Sequence, residues 1–181
     1  MKLSIKSLLP HLVALVLFVV LPSIYFSPLY DGYALKQSDI RQFQGMSKEI
    51  FDYKLTHDGQ QPSWTNAMFS GMPAYQISAD QSANWLTKAD QLIKLGLPRP
   101  VGILFISMLG FYILGLCLRI NPWLAMIGAL GYGFSTINIL YLGAGHMSKV
   151  NAIAYMAPAL GGLLLAFRGR WLLGSAVFAL F

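Results

Sequence analysis

Four apolar stretches, each close to the thickness of a bilayer, decide what this chain can fold into. A helix needs about 20 mostly apolar residues to cross hydrocarbon, and residues 8–26, 101–118, 123–142 and 150–167 each come near that length. In lipid every backbone N–H and C=O must be satisfied within the chain, so such runs form helices rather than open strands. The sequence therefore predicts an all-α, polytopic membrane protein built as a helical bundle. A fifth apolar run, 171–181, covers only about half the length needed. A helix ending there would leave carbonyls unsatisfied in hydrocarbon. The 181 residues are accordingly expected to form the N-terminal part of one transmembrane domain in a longer protein.

The charges carry orientation. Only 11% of the residues are charged and 56% are hydrophobic, against about 25% charged in soluble domains. Lys2 and Lys6 precede the first run, and Arg119, Arg168 and Arg170 lie in later short connections that hold no acid. Lys and Arg in short loops mark the cytoplasmic side. The N-terminus is thus predicted to be cytoplasmic, with residues 27–100 and 143–149 outside the inner (cytoplasmic) membrane. On this reading the net charge of +6 is an orientation signal, the bilayer is the partner, and no nucleic acid is expected. A basic start and apolar middle also fit a signal peptide, but Pro22-Ser23-Ile24-Tyr25-Phe26 offers no small-x-small cleavage site, so an uncleaved anchor is expected. Cys117 is the single cysteine, which excludes an internal disulfide framework or a thiolate metal site and leaves a small core residue.

All seven acids fall between Asp31 and Asp90, inside the long outer loop. Within it Ile40, Phe43, Met46, Ile50 and Phe51 recur at the spacing of one helical face, predicting an amphipathic helix over 39–54 that lies in the membrane interface. Trp85, Leu86, Ala89, Leu92 and Ile93 predict a second over 82–95, with Gly96 as its stop. Between them, residues 57–74 are rich in Gly, Pro, Asn and Gln yet keep Trp64 and Phe69, so the loop is expected to pack onto something.

Three blocks carry a resemblance. The run Gln37-Ser38-Asp39-Ile40-Arg41-Gln42-Phe43 opens a helix after the first span and looks like the first-loop acidic motif of the GT-C superfamily of membrane glycosyltransferases. Trp64-Thr65-Asn66-x-Met68-Phe69-x-Gly71-Met72-Pro73 and Gly145-His146-x-x-Lys149 look most like the YfhO-type bacterial membrane protein family. The resemblance implies a GT-C-like bundle that takes a sugar from a polyprenyl-phosphate donor and passes it to an extracytoplasmic acceptor, a cell-envelope glycan or lipid. It departs from the common GT-C pattern of paired acids, because Asp39 is followed by Ile40 and Arg41. A lone carboxylate is a poor divalent-cation site, so no cofactor is expected and a metal finds no support.

In such a reaction Asp39 would be the general base. Its plain alternative is a helix cap by Asp39 or Ser38. Arg41, His146 and Lys149 are the candidates for holding the leaving phosphate; for Lys149 the alternative is a lysine that snorkels to the interface. Trp64 and Asn66 are candidates for holding a sugar, with membrane anchoring the alternative for Trp64 and for Trp85. His11 reads as a core or headgroup residue, His57 as solvated, and Asp31-Gly32 as a turn. A transporter of lipid-linked substrates and a non-catalytic scaffold are the competing readings. Spans without interior acids or bases, His11 apart, argue against ion-coupled transport. The glycines of 128–143 and 160–162 are expected to let helices approach closely.

Overall fold

The computed structural model describes residues 5–78 and 84–181. Ser82 and Ala83, where the second loop helix is predicted to start, lie outside the described residues, as does Asp80. Two compact units divide the chain: Met1–Leu35 with Gln91–Phe181, and Lys36–Asp90.

The first unit is the helical bundle. Its helices are α1 (Ile5–Tyr25), α4 (Arg99–Cys117), α5 (Pro122–Gly133), α6 (Thr136–Ala144), α7 (Met147–Phe167) and α8 (Trp171–Leu180). Four segments are long and apolar enough to cross a membrane: Lys6–Tyr25, Arg99–Cys117, Pro122–Ala144 and Met147–Phe167. They coincide closely with the four apolar stretches. Helix α4 is 72% buried against 22% for α1, which makes α4 the centre of the bundle, with α1, α5 and α7 around it and α8 against α7. The core joins Ala14 and Phe18 of α1 to Leu104, Met108 and Tyr112 of α4 and to Ala125 and Ala129 of α5.

Small residues set the helix spacing. At Gly110 an added Cβ would lie 2.7 Å from Pro158 Cδ and 2.8 Å from the Ala154 carbonyl oxygen, so α4 and α7 meet backbone to backbone. Pro158 has no N–H to return to Ala154 four residues earlier, and Gly110 fills the place beside that freed carbonyl. Gly162 and Gly174 do the same for α7 and α8, each leaving no room for a Cβ against the other helix's backbone. By contrast, Gly131 and Gly143 face open space and hold no helix close. At the far end of α4, Arg168 Nη1 donates to the Cys117 carbonyl at 2.7 Å, satisfying one of the helix's last acceptors.

The third apolar stretch, uniform in sequence, is broken in the fold. Helix α5 stops at Gly133, Ser135 is extended (φ −59°, ψ 144°), and α6 restarts at Thr136. In an unbroken helix the carbonyls of Tyr132 and Gly133 would accept from the amides four residues on. Instead, Nδ2 of Asn138 donates to Tyr132 O at 2.9 Å and to Gly133 O at 3.2 Å. Asn138 is 1% exposed. Its amide serves Gly133 O and shares Tyr132 O with the Ser135 amide at 3.3 Å, where lipid offers no donor. Hydropathy cannot register such a break, because it scores the residues and not the bonding of their backbone.

The second unit holds α2 (Ser38–Thr56), a hairpin of β1 (Trp64–Thr65) and β2 (Met72–Pro73), and the start of α3 (Trp85–Ile93). Helix α2 buries Ile50 and half-buries Ile40, Phe43 and Met46, while Phe51 of the expected stripe is exposed. In α3 the apolar stripe stays exposed at Trp85, Leu86 and Leu92. That helix ends at Ile93, with Leu95 and Gly96 in the left-handed region and the Gly96 amide returning to Gln91 O at 3.0 Å.

Candidate functional site

Asp39 lies in the first turn of α2, half-buried, and accepts from Ser38 Oγ at 3.3 Å. The N-cap position belongs to Gln37, whose side chain makes no capping bond. Neither Asp39 nor Ser38 is therefore the cap. A first-turn carboxylate still faces the positive end of the helix dipole, which favours an anion there. Arg41 is exposed, two positions along the same helix, and residues so spaced do not share a face.

The loop after α2 is built on a carboxylate that the motifs did not single out. One oxygen of Glu49, Oε2, accepts from Thr65 Oγ1 at 2.7 Å and from the Asn66 amide at 3.0 Å. Thr65 is 1% exposed, and its hydroxyl oxygen accepts in turn from the Ala67 amide at 3.2 Å. Charge-assisted bonds of this kind are about twice as strong as neutral ones, and they fix the hairpin on α2. In sequence Glu49 is one polar residue among several on an amphipathic helix; only its place beside the buried Ile50 set it apart.

The hairpin brings Trp64 and Asn66 together. Trp64 Nε1 donates to Asn66 Oδ1 at 3.3 Å. Gly71 comes back against the Nε1–Cε2–Cζ2 edge of the indole, where a Cβ would lie 2.6–2.9 Å away. The return is made by Phe69, Ser70 and Gly71, all in the left-handed region (φ 52°, 61° and 121°). Such a run is costly for the two non-glycine residues.

The bundle holds the other two candidates. Tyr141, near the end of α6, is their common partner: Lys149 Nζ stands 4.6 Å over its ring and His146 meets it edge-on at 5.6 Å. His146 occupies the N-cap position of α7 after Gly145 turns the chain at φ 102°. Ring stacking holds the Lys149 ammonium by a cation–π contact, which leaves its three donors unspent by that contact. Lys94 was not expected here: it is buried, donates to Asn151 Oδ1 at 2.5 Å and reaches the Tyr155 ring at 5.9 Å. Asn151, one turn into an otherwise apolar stretch, is the faint sequence signal for that contact.

His11 is bound to Tyr112 at 2.7 Å between α1 and α4, as a core residue would be. His57 is exposed and stacked on Tyr53, and Asp31 closes a 3-10 turn whose cap is Gly32 at φ 85°. Among the described residues no three His, Cys, Asp or Glu side chains gather into a metal-holding group. The candidate set is thus organised as two clusters. Asp39, Arg41, Trp64 and Asn66 belong to the Lys36–Asp90 unit, while His146 and Lys149 belong to the bundle.

The fold and its apolar helices define a mostly helical membrane protein with four segments able to cross the bilayer. No protein-family model, no curated protein and no solved structure matches this chain.

Proposed function

We propose that this chain is a membrane glycosyltransferase-like protein of GT-C type, related to the YfhO-type family, acting on the outer side of the cytoplasmic membrane. It transfers a sugar from a polyprenyl-phosphate donor to an extracytoplasmic acceptor. The observation that carries the reading is Asp39, a half-buried carboxylate in the first turn of the helix that opens the long loop. In the reaction the Asp39 carboxylate takes the proton of an acceptor hydroxyl. The hydroxyl oxygen bonds to the anomeric carbon, and the bond from that carbon to the lipid phosphate breaks, with its electron pair leaving on the phosphate oxygen. The departing phosphate needs positive charge, and Arg41, in the same unit as Asp39, supplies it.

A positioned base contributes about 10²–10⁴-fold in rate. Asp39→Asn is therefore expected to abolish transfer of radiolabelled sugar from polyprenyl-phosphate donors in membrane vesicles, with expression and insertion intact. Normal product from that variant would remove Asp39 from the mechanism.

One observation favours a second reading, a transporter of lipid-linked substrates. The third span is broken at Phe134–Ser135, and discontinuous helices are common at substrate sites of transporters. Movement of a fluorescent lipid-linked sugar across proteoliposomes, with no sugar transferred and no sensitivity to Asp39→Asn, would establish transport in place of transfer.

A further inference from the structure

We propose that the hairpin 64–73 is a binding platform for a hexopyranose ring, with Trp64 as its stacking face, Asn66 as its hydroxyl-recognising amide and Glu49 as its positioning residue. The proposal deepens the sugar-transfer reading by giving the acceptor's ring a site.

Three features of the hairpin support it. The indole of Trp64 meets Gly71 along its Nε1–Cε2–Cζ2 edge and donates from Nε1 to Asn66, and the residue remains 54% exposed. A side chain already fixed by such contacts loses little entropy when a ligand stacks on its exposed surface. Second, Asn66 is oriented by two contacts, its Oδ1 accepting from Trp64 and its backbone amide donating to Glu49. With Oδ1 taken, Nδ2 of this exposed side chain is the donor that remains to recognise a hydroxyl. Third, Glu49 fixes this geometry through Thr65 and Asn66 together, so the platform is preorganised on a helix and not left to the loop.

The chemistry selects a sugar. A pyranose presents an apolar C–H face to an aromatic ring and hydroxyls at its rim, matching an indole with an amide beside it. A tryptophan that anchors a membrane surface uses its N–H as the wet end of an amphipathic ring. Here that N–H already donates to Asn66.

The test uses the full chain in lipid nanodiscs, probed with the methyl glycosides of glucose, galactose, mannose and N-acetylglucosamine by saturation-transfer NMR. At least one glycoside is expected to bind saturably, with affinity falling about tenfold or more in Trp64→Ala. Trp64→Tyr, which keeps an aromatic face, is expected to retain most of it. Glu49→Ala is expected to weaken binding several-fold, and Glu49→Gln, which still accepts from Thr65 and Asn66, to restore it. Absence of saturable binding to the parent chain, or unchanged binding in Trp64→Ala, would overturn the proposal. So would quenching by brominated lipids that disappears in Trp64→Phe, since it would place the indole in the bilayer. Binding is read without turnover, so failure of the Asp39 experiment and failure of this one are separate results.

Discussion

Replacing Asn138 by leucine tests whether the break in the third span is held by a side chain or merely tolerated. The Asn138 amide gives two hydrogen bonds, 2.9 Å to Tyr132 O and 3.2 Å to Gly133 O, from a position 1% exposed. Leucine removes both. Each bond contributes about 0.5–1.5 kcal/mol net, and a buried acceptor left without a donor costs about 1–3 kcal/mol. Tyr132 O keeps the Ser135 amide at 3.3 Å, so one lost bond and one orphaned acceptor, Gly133 O, set a gross loss of roughly 1.5–4.5 kcal/mol. Against this stands Asn138 Oδ1, buried and with no partner among the described residues. Its removal returns about 1–3 kcal/mol. The net expectation is a loss of about 1 kcal/mol, within the range that polar contacts reach in membranes. Asn138→Asp keeps an acceptor but brings a carboxyl up to two carbonyl oxygens, so it is expected to be worse than leucine. The assay is unfolding of the detergent-solubilised chain by titration with a denaturing detergent, followed by circular dichroism. If Asn138→Leu proves as stable as the parent, the break does not depend on this amide and the account of it is wrong.

Two more outcomes follow from the packing. Gly174→Val adds branched carbons where even a Cβ meets the backbone of Ala166 and Gly162; overpacking of this kind costs about 1–3 kcal/mol, so α8 is expected to separate from α7, read as increased proteolysis after Phe167. Tyr112→Phe removes the 2.7 Å bond to His11 that joins α1 to α4 and is expected to lower the unfolding midpoint by the equivalent of about 0.6–1.7 kcal/mol; an unchanged midpoint would mean the pair adds nothing to the bundle.

The bundle was legible because hydrocarbon imposes one rule on every residue: length and apolarity alone place a helix. Hence α1, α4 and α7 appear where the apolar runs are. What those measures omit is bonding and proximity. The break before Thr136 depends on where the Asn138 amide reaches, and an Asn in an apolar run carries no mark of its partner. The helical period behind 39–54 likewise located α2, while the identity of its cap depended on backbone geometry at Gln37. In the candidate site, Trp64 and Asn66 stood out as an aromatic and an amide in a punctuated loop. Glu49 did not, because its role is a contact sixteen residues away along the chain. Tyr141 was missed for the same reason: a tyrosine inside an apolar run reads as core until Lys149 and His146 are seen against it.

The seam at Gly110 and Pro158 has a consequence for how this chain can change over time. Any side chain at 110 collides with the pyrrolidine ring and with the Ala154 oxygen that the ring leaves free. Any other residue at 158 restores an amide to that oxygen and removes the ring that Gly110 leaves room for. A single substitution at either position leaves the other fitted to a neighbour that no longer exists. The two sites therefore form one steric unit, in which a change on either helix is felt by the other.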